Sequence, residues 1–179
     1  MARRETAARR YADAAFEIGR DDGTLETWER DLATLQAALG DEQLRRLVEH
    51  PAVPFAEKER VLRRVASGVS REPLSLALLM VRRGRPGAID AMVERFGELV
   101  RKERGISLAE VRTARPLDDE QRTAITERLR TLTGDRIEMK EVVDEALIGG
   151  VSVRIGDRLY DASVRSRLER LRARLTAAR

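Results

Sequence analysis

The chain has 179 residues, a formal net charge of +4 and no cysteine, with 42% hydrophobic but only 3% aromatic residues. This length suits one medium domain or two small ones, and the lack of cysteine excludes a disulfide scaffold and thiolate metal sites. The longest apolar run, Leu76 to Val81, is far shorter than the roughly 20 residues that a membrane-spanning helix needs.

The N-terminal part of the sequence predicts six consecutive α-helices with short connections. The first covers about Glu5 to Gly19 and the fifth Leu74 to Arg83. Residues that favour helix starts precede several of them, namely Thr24, Asp41, Pro54 and Ser70. Helix-ending residues follow them, namely Gly40, Pro51, Gly68, Gly84 and Gly105. Short-looped helices of this kind predict an α-helical bundle.

Two of these helices are more apolar than one buried face requires. Helix one has two apolar stripes, Tyr11, Ala14, Ala15 and Ile18 on one and Ala8, Ala12, Phe16 and Gly19 on the other. One stripe can face the bundle and leave the other for a second helix, or its alanines can simply favour helix on the surface. Helix five, which includes Leu74 and Leu78, is either a central bundle helix or half of a helix-binding groove.

The pattern changes after Gly105 to a mixture of strands and a helix. Ala109, Val111 and Thr113 alternate with polar residues and predict a strand, and Ile137 and Met139 begin another. Between them, Asp118 and Gln121 have the spacing of a capping box. The sequence therefore predicts an α-rich protein of two domains, a helical bundle over residues 1–104 and a small α+β domain over residues 105–179.

The last thirty or so residues combine a tight bend, a hairpin and a basic helix. After Gly149-Gly150 comes a predicted strand, then a two-residue turn at Gly156-Asp157, a returning strand and a helix that Asp161 is expected to cap. This helix has one apolar stripe, formed by Val164, Leu168, Leu171 and Leu175. From Asp161 onward six arginines stand against two acidic residues, which indicates either a surface for an acidic partner or a solvated face.

Two segments resemble one known family. The Gly-Gly strand, the Gly-Asp turn, the Asp161-x-Ser163 spacing and the following helix resemble the C-terminal signature of the delta subunit of bacterial F-type ATP synthases. That family includes the mitochondrial oligomycin-sensitivity-conferring protein. The segment Arg9–Gly19, RRYADAAFEIG, is similar to the first helix of the same family, so the resemblance covers essentially the whole chain.

The resemblance implies a non-catalytic stator subunit that connects the catalytic head to the peripheral stalk. The N-terminal domain would then bind the N-terminal helices of alpha subunits through helices one and five, at Tyr11, Ala14, Ala15, Ile18, Leu74 and Leu78. The C-terminal domain would bind the C-terminal end of the b subunit, through Val164, Leu168, Leu171 and Leu175 or with these residues in its own core. The chain would act at the cytoplasmic face of the cell membrane, as a peripheral part of the complex, without inserting into the bilayer.

Motifs for chemistry are missing from the sequence. Each of the three lysines is followed by glutamate, so there is no Gly-Lys-Ser/Thr phosphate loop. With one histidine, His50, and no cysteine, we expect no metal, no cofactor and no catalytic residue. An RNA-binding helical module with a basic C-terminal helix is the alternative, but the low aromatic content leaves few platforms on which bases can stack.

Overall fold

The N-terminal part of the chain folds as α-helices around one apolar core. The computed structural model describes the backbone of residues 2–168 and 170, and within that range the side chains from residue 6 onward. The chain forms two compact units, Met1–Val100 and Arg101–Arg179. The helices of the first unit are α1 (Ala2–Asp21), α2 (Leu25–Gly40), α3 (Glu42–Glu49), α4 (Phe55–Val65), α5 (Arg71–Arg82), a 3₁₀ turn (Pro86–Ala88) and α6 (Ile89–Glu103), whose last three residues belong to the second unit.

Only one of the predicted side-chain caps in this unit is made. The Asp41 carboxylate accepts the backbone N–H groups of Gln43 at 3.0 Å and Leu44 at 2.9 Å, which satisfies two of the free donors at the start of α3. Thr24 and Ser70 precede α2 and α5 as predicted, but neither side chain makes a capping hydrogen bond. These two helices therefore begin without the predicted side-chain bond.

Helix α5 begins earlier than the sequence suggests. Its first residue is Arg71 rather than Leu74, so that Pro73 lies inside the first turn. A proline is tolerated there because its missing N–H would have no acceptor within the helix. Gly84, with φ of 65°, follows the end of the helix and confirms the predicted stop.

Three aromatic rings mark the centre of the N-terminal core. The Trp28 ring stacks on Phe96 with 6.2 Å between centroids, and Phe16 meets Phe96 edge-on at 6.5 Å. The approach of α1 to α2 depends on Gly19, where a Cβ atom would lie 2.9 Å from Cδ1 of Trp28. The small residue at this position lets the tryptophan pack directly on the backbone of α1.

The C-terminal unit is a four-stranded sheet with one helix packed against it. Its elements are β1 (Ile106–Thr113), α7 (Asp119–Thr133), β2 (Arg136–Val143), β3 (Val151–Ile155) and β4 (Arg158–Asp161). The strand order is β2-β1-β3-β4. Helix α7 connects β1 to β2, which pair in parallel, whereas β3 is antiparallel to both β1 and β4. The predicted strands at 109–113 and from 137 are confirmed.

The sheet and α7 enclose a small apolar core. Ala109 and Val111 alternate on the buried face of β1, and Leu129 of α7 and Val153 of β3 complete the fully buried set. The predicted capping box is confirmed, because the Asp118 carboxylate accepts the Gln121 N–H at 2.7 Å and the Gln121 side chain accepts the Asp118 N–H at 3.3 Å.

The helix after β4 is capped by a different residue from the predicted one. Asp161 still pairs with Ser152 as the last residue of β4, so its backbone is extended. Its carboxylate accepts the Ser163 N–H at 2.9 Å, and the Ser163 hydroxyl in turn accepts the Ser166 N–H at 3.2 Å. Ser163 is therefore the capping residue, and the chain is helical at 164–168 and 170, a stretch that we call the C-terminal helical segment.

The prediction of a helix-rich chain with a small α+β part at its C-terminal end is confirmed. The predicted hairpin is also present, with Gly156 at φ of 54° in the two-residue turn between β3 and β4. Within the described residues, no helix is both long and apolar enough to cross a membrane.

Candidate functional site

The two apolar stripes of α1 have different environments. The stripe of Ala8, Ala12, Phe16 and Gly19 is buried against the bundle. Of the other stripe, Ala15 is also buried and Tyr11 is partly buried against the core, whereas Ala14 and Ile18 are exposed. Ile18 keeps 45% of its surface accessible. Of the four predicted residues, two are therefore exposed to a partner, Ala14 and Ile18.

Helix α5 is largely buried in the N-terminal core. Leu74 and Leu78, both predicted to contact a partner, are buried in the core. The apolar residue that α5 presents outward is Leu79, which is 41% exposed. Helix α1 also packs against α5. We call the exposed apolar residues of these two helices, Ala14, Ile18 and Leu79, the helix 1/5 surface.

Leu79 could have been found from the sequence. It follows Arg71 and Ser75 at intervals of four residues, so the three side chains share one face of α5. Arg71 and Ser75 are polar and exposed, which identifies this face as the outer one. The exposed position of Leu79 was missed because nearly every other residue in the middle of α5 is apolar too.

A buried carboxylate fixes the beginning of α5. Asp31 of α2 is only 2% exposed, and its Oδ2 accepts the backbone N–H of Ser70 at 2.8 Å. Burial alone would raise the pKa of Asp31, but the hydrogen bonds from Ser70 and the neighbouring Arg30 bring this pKa below its usual value. Asp31 is therefore ionised at neutral pH and holds the first turn of α5 against α2.

The predicted b-subunit residues lie at and beyond the end of the described chain. Val164 is 38% exposed and Leu168 is 52% exposed on the C-terminal helical segment. Leu171 and Leu175, the other two predicted residues, lie outside the described residues. The two described members are one helical turn apart and share a face of the segment.

The start of the C-terminal helical segment and the residues just before it are hydrogen-bonded to the beginning of β3 and to the loop before it. The Ala162 N–H donates to the Val151 carbonyl and the Val164 N–H to the Gly149 carbonyl, each at 3.0 Å. Gly150 allows this contact, because a Cβ atom there would lie 2.7 Å from the Ala162 carbonyl oxygen and its φ is +80°. The Gly-Gly pair thus positions the segment.

Next to this contact the C-terminal unit has an open groove of about 660 Å³. It lies between the connection from β1 to α7, the first turns of α7 and the loop before β3. Its apolar lining consists of Ala114, Pro116, Leu117, Ala124, Ile125, Ile148 and Val151. We call it the α7 groove.

An acidic residue of β2 supports one wall of the α7 groove. The Glu141 carboxylate accepts the Leu117 N–H at 2.7 Å and an Arg122 guanidinium N–H at 3.0 Å. The hydrogen bond from the Leu117 N–H is the main cause that holds the pKa of Glu141 below its usual value, and the hydrogen bond from Arg122 lowers this pKa further. The connection from β1 to α7 is therefore tied to the sheet rather than freely mobile.

The single histidine takes part in a local turn. His50 is exposed and its Nδ1 accepts the Ala52 N–H at 3.2 Å, which places it in a local turn. In the part of the chain that the structure describes, no group of three or more His, Cys, Asp or Glu side chains is placed to hold a metal ion.

Comparison with known proteins points to a single family. The family profile described as ATP synthase delta (OSCP) subunit matches residues 7–175. A protein from Salinibacter ruber named ATP synthase subunit delta is 39% identical, with 97% of this chain and 92% of that protein aligned. One of the same name from Caulobacter vibrioides is 37% identical, with 96% and 95% aligned.

A solved structure agrees with these sequence relatives over nearly the whole chain. A chain in the cryo-EM structure of the Toxoplasma gondii mitochondrial ATP synthase hexamer superposes with a TM-score of 0.66 at 28% sequence identity. The similarity covers 94% of this chain and 97% of that chain, so both units have counterparts there.

Proposed function

Since the chain belongs to the family of ATP synthase delta (OSCP) subunits, we propose that it joins the catalytic head of the enzyme to the peripheral stalk. It is a non-catalytic subunit of the F-type ATP synthase. The observation that carries the proposal is the match over nearly its full length to proteins of this one name. A stator connection of this kind prevents the head from turning with the rotor, so that torque drives ATP synthesis.

In this proposal, residues 1–104 form a self-contained helical bundle that binds the N-terminal helix of an alpha subunit. The contact is made by the helix 1/5 surface, where Ala14, Ile18 and Leu79 are accessible. The other predicted residues are not freely accessible: Ala15, Leu74 and Leu78 are buried in the core and Tyr11 is partly buried against it. A helix with an apolar stripe would cover the exposed apolar side chains.

Binding of a synthetic alpha N-terminal peptide to the full chain tests this contact. We expect Ile18→Asp to weaken binding by about tenfold or more, since a charge would be buried at the contact. Val65→Asp is the matched control, because Val65 is a 54% exposed apolar residue on a different helix, α4. Equal binding by the two folded variants would exclude the helix 1/5 surface as the alpha contact.

The C-terminal unit, within residues 105–179, binds the end of the peripheral-stalk b subunit in the same proposal. The exposed Val164 and Leu168 support this assignment, because apolar residues on one face of a helical segment favour an apolar partner. The chain would then sit at the cytoplasmic face of the cell membrane through its partners. None of the relatives supports the RNA-binding alternative.

A further inference from the structure

Asp31 is a buried charge on the otherwise apolar side of α2. Its buried neighbours on this helix include Trp28 and Leu32, and a carboxylate is almost never fully buried unless it is paired. Its Oδ2 accepts the Ser70 N–H at 2.8 Å, and its Oδ1 accepts the Nε–H of Arg30 at 3.2 Å. A buried charge contributes little stability that an apolar residue could not supply, so its directed hydrogen bond to Ser70 indicates a role in setting geometry.

The start of α5 depends on this carboxylate. Ser70 precedes the helix, but its own side chain makes no capping hydrogen bond. The N–H of Ser70 is bound instead by Asp31 of α2, whose negative charge lies where the dipole of α5 is positive. The position of α5 is therefore tied to another helix by a bond between two defined atoms.

The same side of α2 also holds α1. Trp28 lies three residues before Asp31, so the two side chains share one side of α2, and both are buried. Trp28 packs on Gly19, where a Cβ atom would lie 2.9 Å from Cδ1 of the tryptophan. Gly19 directly follows Ile18, which is exposed on α1. Helix α2 is thus a common support for both helices of the helix 1/5 surface.

The bond at Ser70 and the exposed Leu79 belong to one helix. They are separated along its axis by about 13 Å, at 1.5 Å per residue. The buried residues of α5, which include Leu74 and Leu78, decide which side of the helix faces the core, but apolar contact is non-directional. A hydrogen bond fixes the distance between two atoms. It therefore limits sliding and tilting of α5, and with them the position of Leu79 relative to Ile18.

We propose that Asp31 is a positioning residue for partner binding, because its bond to Ser70 sets the spacing of Ile18 and Leu79 that a partner helix bridges. The inference rests on the proposed alpha contact and adds to it a buried residue that the partner does not touch. Loss of the bond leaves both apolar residues in place but frees the start of α5. A partner must then order this part of the helix when it binds, which lowers its affinity.

Binding of a synthetic peptide, the N-terminal helix of the cognate alpha subunit, to the full chain tests this role. We expect Asp31→Ala to weaken binding about three- to tenfold, which is within the range by which residues outside a contact change affinity. Asp31→Asn keeps an acceptor oxygen but loses the charge, so its affinity should lie between those of the unchanged chain and Asp31→Ala.

Two controls separate positioning from a general loss of stability. Val48→Ala removes buried atoms from the same core, on α3 and outside the helix 1/5 surface, so it destabilises the unit by a cavity without removing the bond at Asp31. Arg30→Ala removes the other partner of Asp31 and leaves the bond to Ser70 in place. Both should change binding less than about twofold, in conditions where urea denaturation shows every variant to be folded.

The outcomes separate the inference from the proposed alpha contact. If the unchanged chain binds the peptide and Ile18→Asp weakens binding, the contact stands, and equal binding by Asp31→Ala and Val48→Ala overturns the inference alone. If the unchanged chain does not bind, or if Ile18→Asp binds normally, the proposed contact fails and the inference fails with it. Should Asp31→Ala not fold, the comparison of Asp31→Asn with Arg30→Ala decides, and equal affinities of these two variants overturn the inference.

Discussion

The sharpest stability prediction concerns Asp31, the buried carboxylate that bonds to the start of α5. Asp31→Ala removes the acceptor that lies 2.8 Å from the Ser70 N–H and leaves that donor without its partner. Hydrogen bonds to charged groups contribute about 1.5–3 kcal/mol. We therefore expect this substitution to lower the free energy of unfolding of the N-terminal unit by about 2–3 kcal/mol.

Two further variants separate the contributions of the charge of Asp31 and of its ion pair with Arg30 to this loss of stability. Asp31→Asn keeps an acceptor oxygen but not the charge, and charge-assisted bonds are about twice as strong as neutral ones, so we expect a loss of about 1 kcal/mol. Arg30→Ala removes an ion pair whose arginine side chain is 69% exposed. Exposed pairs contribute about 0–1 kcal/mol, so this variant should cost less than either change at Asp31.

Urea denaturation followed by tryptophan fluorescence measures these values directly. Trp28 is the only tryptophan in the sequence and lies buried on α2, one turn before Asp31. If Asp31→Ala costs no more than Arg30→Ala, the bond between Asp31 and Ser70 contributes nothing measurable and the reasoning is refuted.

The same variants predict a dependence on pH. Because folding lowers the pKa of Asp31 from its ordinary value of 3.8, its stabilisation is complete above that value. It is lost as the pH falls through the lower pKa of the folded state. The difference in stability between the unchanged chain and Asp31→Asn should therefore shrink below about pH 4; a difference that stays constant down to pH 2 would contradict the assignment.

Three other outcomes follow from the remaining contacts. Gly150→Ala should destabilise the C-terminal unit by about 1–3 kcal/mol in thermal melts, because φ is +80° there and the new Cβ atom would lie 2.7 Å from the Ala162 carbonyl oxygen. Gly149→Ala should cost much less, because its Cβ atom would make only an ordinary contact at 3.5 Å. Residues 1–104 expressed alone should give a cooperative, strongly helical melt, and an aggregated fragment would contradict the proposed boundary. Charge reversal at three arginines of the C-terminal helical segment, Arg165, Arg167 and Arg170, should slow association with a synthetic b-subunit peptide at low salt. Unchanged association rates would show that these arginines are only a solvated surface.

Local signals explain where the sequence predicted the fold well. The capping box of Asp118 and Gln121 and the turn at Gly156-Asp157 depend on residues within a few positions of each other, and both are confirmed. The strand at Ala109 and Val111 could be predicted because these residues alternate with the charged Glu110 and Arg112, and burial alternates in the same way. Such patterns depend only weakly on the rest of the chain, so they can be read without a structure.

Contacts between distant residues could not be predicted in the same way. Nothing near Asp31 indicates that it will meet Ser70, a residue 39 positions later that precedes another helix. The orientation of α5 was harder to predict because its middle is almost entirely apolar, and the signal that Leu79 is exposed while Leu78 is buried is the four-residue spacing of Leu79 from Ser75 and Arg71. The exposed Ile148 lies in an irregular loop, where periodicity carries no information about burial.

The unequal sizes of the two cores have a consequence for the lifetime of the chain in a cell. In the described part of the C-terminal unit only Ala109, Val111, Leu129 and Val153 are fully buried apolar residues, far fewer than in the helical unit. Because a small core contributes little stability, we expect this unit to open more readily than the helical unit and to be cleaved first by proteases. Binding of a partner to the folded form protects it by mass action. The abundance of this subunit would then follow that of its assembled complex, because unassembled copies are degraded faster.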